Sequence, residues 1–324
     1  MQSTVANPPD IDGPDLESPI HQLSTASASA TAFGWILLAY AVAILAACIF
    51  LWLDIPALTD LSILQRAFIA DVIATLVIFG FSTVSSNASF YDAYWSVAPP
   101  FLLIYFVYAE RHDAEAFLDP RLILVSLLVL AWAVRLTHNW ARGWQGLSHV
   151  DWRYVDLSKQ TGKFWWLVNL LGIHLMPTVL TFVGCIAIYV CASLDAAPLN
   201  RVDALAVLVG VSALWIEYTA DNQLRKFRLD PKNSGQTLAT GVWAWCRHPN
   251  YLGEIGFWFA LFIFSWAAVG RASLDLAVWG PVSMLVLFVA ITIPMIDKRL
   301  SARQGFAEHK ARTFALLPFS HWRS

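Results

Sequence analysis

Long, nearly uninterrupted runs of apolar residues constrain this chain more than any other feature of its sequence. A helix rises about 1.5 Å per residue, so roughly 20 apolar residues cross the hydrocarbon layer of a bilayer. Runs of that order occupy 33–53, 66–86, 121–141, 167–192, 202–223, 252–268 and 276–296. A shorter run, 97–108, follows the Pro99-Pro100 pair and makes an eighth. Hydrophobic residues are 58% of the chain and charged residues 14%, against roughly 45–50% and 25% in soluble domains. The expected fold is an all-α, polytopic membrane bundle of eight spans, or of seven if 97–108 does not cross.

The first run is not the core of a cleaved signal peptide, because residues 1–32 contain no Lys or Arg and a signal peptide opens on a basic segment. Rich in Ser, Ala, Thr and Pro, with Asp10, Asp12, Asp15 and Glu17, residues 1–32 read as a disordered tail ahead of a membrane domain over 33–324. Cys48, Cys185, Cys191 and Cys246 are expected as free thiols, since no spacing among them suits a disulfide framework or a zinc site. No Cys/His or His/Glu grouping has metal-ligand spacing, so no metal is expected. The 16 Trp residues suit the membrane interface and helix packing, and could also line a pocket for a flat apolar ligand.

Basic residues alternate between the loops. Arg142, Arg153, Lys159 and Lys163 follow one run; Arg225, Lys226, Arg228, Lys232 and Arg247 follow another; Lys298, Arg299, Arg303, Lys310, Arg312 and Arg323 close the chain. The intervening loops are sparser, with Arg111, Arg121, Arg201 and Arg271. The positive-inside rule turns the basic segments toward the cytoplasm, and eight spans put the polar turn 85–96 on that same side.

The placement of these charges carries more information than their number. Glu217, Asp221, Arg225 and Arg228 follow i, i+4, i+8, i+11 spacing, which is one stripe of a helix. Next comes Gly241…Cys246-Arg247-His248-Pro249-Asn250-Tyr251-Leu252-Gly253-Glu254, leading straight into an apolar run. Pro249 suits the first turn of a helix, whose unpaired N–H groups favour an anion beside Arg247. Asn250, Glu254 and Trp258 then repeat on one face. A third set, Arg135, His138, Asn139 and Arg142, closes the 121–141 run, and Arg135 lies deep enough that it must pair or snorkel. Downstream, Asp151, Arg153 and Tyr154 are polar in a loop able to cover a cofactor. Salt-bridged helix ends would explain any one stripe; three in register point to a ligand.

In this order, Asp221-x-x-x-Arg225-x-x-Arg228, the block Gly241 to Glu254 and the tail Phe306…Phe314-Ala315-Leu316-Leu317-Pro318-Phe319 resemble the steroid 5α-reductase family. The likeness is greatest to its bacterial members, a DUF1295-like group among them, and covers roughly 66–319. The block 247–254 alone is less specific, because Arg-His-Pro-x-Tyr signatures also occur in membrane methyltransferases and sterol C14 reductases. The resemblance implies a seven-span helical core, to which this chain adds an N-terminal span, and a cofactor-binding half over about 121–319. It implies NADPH in a cytoplasm-facing cavity and reduction of a carbon–carbon double bond conjugated to a ketone. By position Asp221, Arg225, Arg228, Asn250, Glu254 and Trp258 match cofactor contacts of the family, and Arg135 matches another. Asn139, Arg142, Glu217, Arg247 and Tyr251 join the expected cofactor set from the stripes they share. In the animal enzymes a Gln-Glu pair and a Tyr surround the substrate ketone. Here the pair's place falls near Tyr91-Asp92-Ala93-Tyr94, and Trp132 stands where the Tyr would be.

The expected catalytic group therefore lies on that turn: Asp92, Tyr91 or Tyr94, positioned with help from Asn87. Any of the three could donate a hydrogen bond to an oxygen that gains charge as hydride reaches the β-carbon. The leading expectation is an NADPH-dependent enone reductase, most simply a 3-oxo-Δ4-steroid 5α-reductase of a bacterial inner membrane, its site facing the cytoplasm. Its partners would be a small apolar substrate and membrane lipid, with neither nucleic acid nor an obligate protein partner. The alternative is an S-adenosylmethionine-dependent methyltransferase acting on prenylcysteine or phospholipid. A transporter is disfavoured, because the chain has no internal repeat.

Overall fold

Every apolar run folds as a helix, and local sequence sets most of the helix ends. The computed structural model describes residues 19–53, 60–111, 118–194, 198–270 and 276–318. Helix α1 spans Pro19–Trp52, beginning upstream of the run at 33–53. Residues 1–18 of the expected tail lie outside the described residues, as do Arg271, Phe319 and Arg323. Helix α2 (Ile63–Val84) starts at a capping box in which Ser62 and Gln65 satisfy each other's backbone N–H groups. A short 3₁₀ turn, Ala88–Tyr91, leads into α3 (Tyr94–Glu110). Helix α4 (Pro120–Gly143) opens with Asp119 as cap and Pro120 in its first turn.

The next crossing is composite. Helix α5 (Trp152–Thr161), a 3₁₀ turn, α6 (Trp165–Val168), a π-helical segment Asn169–Leu175 and α7 (Met176–Ser193) follow one another. Helix α8 (Arg201–Leu229) has a second capping box, Asn200 with Asp203. Helix α9 (Pro249–Val269) begins on Pro249 and ends on Gly270, whose φ of 75° is left-handed. Helix α10 (Trp279–Val286), a π segment Leu287–Thr292 and α11 (Ile293–Leu300) make the last crossing, and α12 (Phe306–Arg312) follows outside it. Among the described residues no strand forms.

Seven of these helical stretches are long and apolar enough to cross a membrane, which makes the protein a polytopic helical membrane protein. The exception is α3, with 17 residues. It nevertheless runs between the same two ends of the bundle as its neighbours. Near its start Ser96 Oγ lies 2.9 Å from Thr137 Oγ1 of α4. Past its far end Arg111 Nε donates to the Ala192 carbonyl at 2.8 Å, where α7 finishes. Among the described residues, α3 thus runs along the bundle beside the seven longer stretches. Its lipid-facing surface is apolar, as at Leu37, Ile104, Leu127 and Leu208. The tryptophans divide between the two expected roles: Trp132 and Trp258 are fully buried, whereas Trp52, Trp166 and Trp279 are exposed.

The three basic segments gather at one end. Arg225 Nη1 donates to the Arg142 carbonyl at 3.1 Å, and Arg299 stacks 4.0 Å from the centre of the Trp152 ring. The turn 85–96 lies at that same end: Asn87 Nδ2 donates to the Leu147 and His149 carbonyls at 2.8 and 3.0 Å. At the opposite end Arg121 makes a buried double hydrogen bond to Asp203, at 2.7 and 2.9 Å, tying α4 to α8.

Helices α8 and α9 approach closely because glycine removes the side chains between them. A Cβ on Gly253 would stand 2.7 Å from both the Ala213 carbonyl oxygen and Glu217 Cβ, and one on Gly256 would stand 3.0 Å from Ala213 Cβ. On the other flank of α9, a Cβ on Gly184 of α7 would come within 2.2 Å of the Trp258 ring. Three helices thus converge on Trp258 and Glu254, where Trp132 stacks on Phe257 at 4.6 Å.

Candidate functional site

Arg135 of α4 lies at the centre of this convergence. It pairs with Glu217 and, at 2.8 Å, with Asp221, both on α8, while Glu254 of α9 stands 4.0 Å away. One guanidinium thus faces three carboxyl groups, all largely buried. Glu254 is held by two indoles: Trp132 Nε1 donates to one oxygen at 3.0 Å and Trp258 Nε1 to the other at 2.8 Å. The i, i+4 spacing of Glu254 and Trp258 brings the second of these bonds about. Toward the basic end, Asn139 donates to Asp221 at 3.0 Å and accepts from Arg142 at 2.9 Å. Arg142 also donates to Asn222 at 3.1 Å. Arg135, Asn139, Arg142, Glu217, Asp221, Arg225, Glu254 and Trp258 therefore form one network.

A second group sits at the start of α9. The chain after α12 returns to this point: Arg247 N and His248 N donate to the Phe314 and Ala315 carbonyls, both at 3.0 Å. The guanidinium of Arg247 is held by the Thr313 carbonyl and by Asp297 at 3.3 Å. Asp297 also accepts from His248 at 2.9 Å and pairs with Lys310 at 3.3 Å. Arg247 thus stands beside the N-terminus of α9, as expected, and also anchors the C-terminal segment. A guanidinium so close to a buried carboxylate gains more from the pair than from solvent. Tyr251 packs between His248 and Phe288, within electrostatic reach of Arg153, Arg228 and Asp221.

The turn before α3 divides the three expected catalytic groups. Tyr91 and Tyr94 point into the bundle. Tyr91 Oη lies 2.7 Å from Thr178 Oγ1, which in turn lies 2.8 Å from Thr75 Oγ1. Tyr94 Oη donates to Asp71 Oδ1 at 3.2 Å. Asp92 turns the other way and accepts from Tyr154 Oη at 2.5 Å. A 3₁₀ turn explains the split, since neighbouring residues there diverge by about a third of a turn. Burial pushes the Asp92 carboxyl up to about 6, against the pull of the Arg153 guanidinium and the Tyr154 hydroxyl. Burial likewise lifts the Tyr91 hydroxyl well above its ordinary range, keeping it protonated as a donor. The turn touches the Arg135 network through Trp95, whose ring packs edge-on against Trp132 at 5.6 Å.

Several buried polar atoms in these groups have no hydrogen-bond partner: Arg135 Nε, Arg142 Nε, Glu217 Oε2, Arg247 Nε and Asn250 Oδ1. Unpaired buried polar atoms cost about 1–3 kcal/mol each, and these share one end of the bundle with the basic segments. Guanidinium groups suit phosphate oxygens, and a carboxyl and an amide suit the hydroxyl and amide edges of a nucleotide. Such a set suits a ligand that carries both anionic and hydrogen-bonding groups.

Asp71 lies outside the expected set, although an ionisable residue beyond the first position of the run 66–86 is itself a signal. The same holds for His174, whose Nδ1 lies 2.9 Å from the Asn169 carbonyl oxygen and whose ring meets Tyr91 at 5.1 Å. Asp297 carried no such signal, because only folding shows which cations it faces.

Fold and site together define a multi-pass helical membrane protein with a buried arginine–carboxylate network at its basic end. Residues 78–313 match a family model described as "Protein of unknown function (DUF1295)", and the chain belongs to that family. It is also similar to an uncharacterized protein of Schizosaccharomyces pombe, 23% identical over 270 residues that cover 76% of this chain and 78% of the yeast protein. No solved structure gives a significant match.

Proposed function

We propose that this protein is an NADPH-dependent reductase of a carbon–carbon double bond conjugated to a ketone, acting on a lipophilic substrate such as a 3-oxo-Δ4-steroid. The observation that carries the reading is the Arg135 network, with orphaned polar atoms of α4, α8 and α9 at the end where the basic segments meet. Arg142, Arg225 and Arg228 would hold the phosphates, and Asn250, Glu254 and Trp258 the nicotinamide half. Bound NADPH would supply a hydride equivalent. Hydride addition at the β-carbon places negative charge on the ketone oxygen, and a proton then joins the α-carbon.

On the protein's side the requirement is a neutral donor aimed at that oxygen. Tyr91 meets it better than Asp92, because its hydroxyl reaches into the bundle and burial keeps it protonated, and Tyr94 would meet it on releasing Asp71. Trp132, stacked on Phe257, and Trp258, edge-on to both rings, cover Glu254 and exclude water from it. We place the site on the cytoplasmic face of a bacterial inner membrane, following the basic loops.

Two sets of substitutions test the reading. Asn250→Ala and Arg228→Ala should each weaken NADPH binding while the melting temperature stays near wild type, checked by cofactor titration and thermal denaturation in detergent. Unchanged affinity in both would leave the stripes as salt-bridged helix ends. Tyr91→Phe or Tyr94→Phe should lower turnover of a 3-oxo-Δ4-steroid about 100- to 1000-fold, the loss typical of one oxyanion donor. NADPH affinity should barely change. Normal turnover in both would clear the turn of a catalytic role.

A further inference from the structure

A cleft of about 330 Å³ lies between α1, α2 and α3, away from the Arg135 network. That volume falls in the range of small-molecule sites, about 300–1,000 Å³. Its walls are apolar, formed by residues such as Ile44 and Leu51 of α1, Ala70 and Ala74 of α2, and Phe101 and Leu102 of α3. Small side chains make the space: Ala67, Ala70 and Ala74 lie along one face of α2, opposite Ala47 and Ala98. The rim residues Phe101, Ile104 and Tyr108 are exposed on the lipid-facing side of α3, so the cleft opens toward hydrocarbon.

Beyond Tyr105 and the rim residue Tyr108, two side chains bring polar atoms to this lining, Asp71 and Tyr94. Asp71 is 5% exposed. Its Oδ1 accepts from Tyr94 at 3.2 Å, and its Oδ2 has no partner. A carboxyl within a span, lined by alanines and short of one bond, is costly unless something fills the vacancy. Water would need several polar partners to settle there, and an apolar cleft of this kind offers one pair. A hydroxyl at the end of an otherwise apolar molecule satisfies Asp71 Oδ2 and fills the walls at once. Helix α1 and the part of α2 that carries Asp71 precede residue 78, where the family match begins, whereas the α3 wall lies within it.

We propose that the cleft is a binding site for a lipophilic alcohol, taken sideways from the bilayer and held by donating its hydroxyl proton to Asp71. The test uses the full chain in phospholipid nanodiscs and a photoreactive diazirine sterol, without cofactor, so its outcome is independent of the reductase reading. Labelling should map to α1, α2 and α3, and the parent sterol should compete at least about tenfold better than its methyl ether, which cannot donate. Asp71→Asn, nearly the same shape, should erase that preference, and Ala70→Phe should block labelling by filling the space. The alcohol-against-ether comparison needs no variant and stands even if these fail to fold. Equal competition by alcohol and ether, labels elsewhere in the chain, or displacement by bulk phospholipid alone would each overturn the proposal.

Discussion

Replacing Arg135 by alanine should destabilise the protein more than any other single truncation, and should abolish binding of a dinucleotide. The guanidinium holds Glu217 and Asp221 directly and stands 4.0 Å from Glu254. Removing it leaves three buried carboxyl groups facing one another with no cation among them. Losing one partner of a buried ion pair costs about 3–5 kcal/mol, a large fraction of the stability of an ordinary domain. Arg135→Lys restores the charge but not the fork that reaches two carboxylates at once, so it should recover only part of the loss. Adding Asp221→Asn to Arg135→Ala should also relieve part of it, since one of the three carboxyl groups becomes a neutral amide. Thermal unfolding in detergent checks all three variants. Wild-type stability in Arg135→Ala would mean that the network is solvated and carries no burial cost.

Gly253→Leu should prevent α8 and α9 from closing. Even the first carbon of a side chain would sit 2.7 Å from the Ala213 carbonyl oxygen and 3.0 Å from Glu217 N. Those are backbone atoms and cannot rotate aside, so the helices must move apart. Overpacking a well-filled core costs about 1–3 kcal/mol even where neighbours can adjust, and here they cannot. The displacement also carries Glu217 away from Arg135, which joins the steric cost to the electrostatic one. Little folded protein should accumulate in the membrane. Gly256→Ala, whose Cβ would stand 3.0 Å from Ala213 Cβ, should melt only modestly below wild type. Equal melting of Gly253→Leu and wild type would show that α8 and α9 are not pressed together at this point.

The helical fold was legible because a bilayer leaves a chain little choice: each run of about 20 apolar residues becomes a helix. The start of α9 was marked by Pro249 in its first turn, and Ser62, Asp119 and Asn200 are cap residues whose side chains satisfy the first N–H groups of α2, α4 and α8. The α8 stripe and the Asn250–Glu254–Trp258 face were equally legible, because helical spacing alone fixes which residues share a side. What could not be read was partnership between helices. Nothing near Arg247 announces that Asp297, 50 residues away, will hold its guanidinium. Nor does the polar turn reveal that Asp92 faces Tyr154 while Tyr94 faces Asp71. Such pairings depend on how spans of similar composition pack, and apolar composition does not encode neighbours.

The proposal of reduction over methyl transfer rests on residue types, and the proposed steroid substrate on the family resemblance alone. Phosphate recognition calls for several guanidinium groups, whereas methyl transfer from S-adenosylmethionine requires no second phosphate clamp. Arg142 and Arg225 are joined through the Arg142 carbonyl, and Asn139 ties Arg142 to Asp221. The basic groups are therefore held in register with the carboxyl network.

Titration of the purified full chain in detergent with NADPH, NADH and S-adenosylmethionine tests the central claim most directly. The account predicts saturable binding of NADPH, weaker binding of NADH by about tenfold or more, as expected when one charge-assisted contact is lost, and no saturable binding of S-adenosylmethionine. Equal affinity for NADPH and NADH would remove the phosphate clamp, and saturation by S-adenosylmethionine with no response to NADPH would contradict the reductase reading outright.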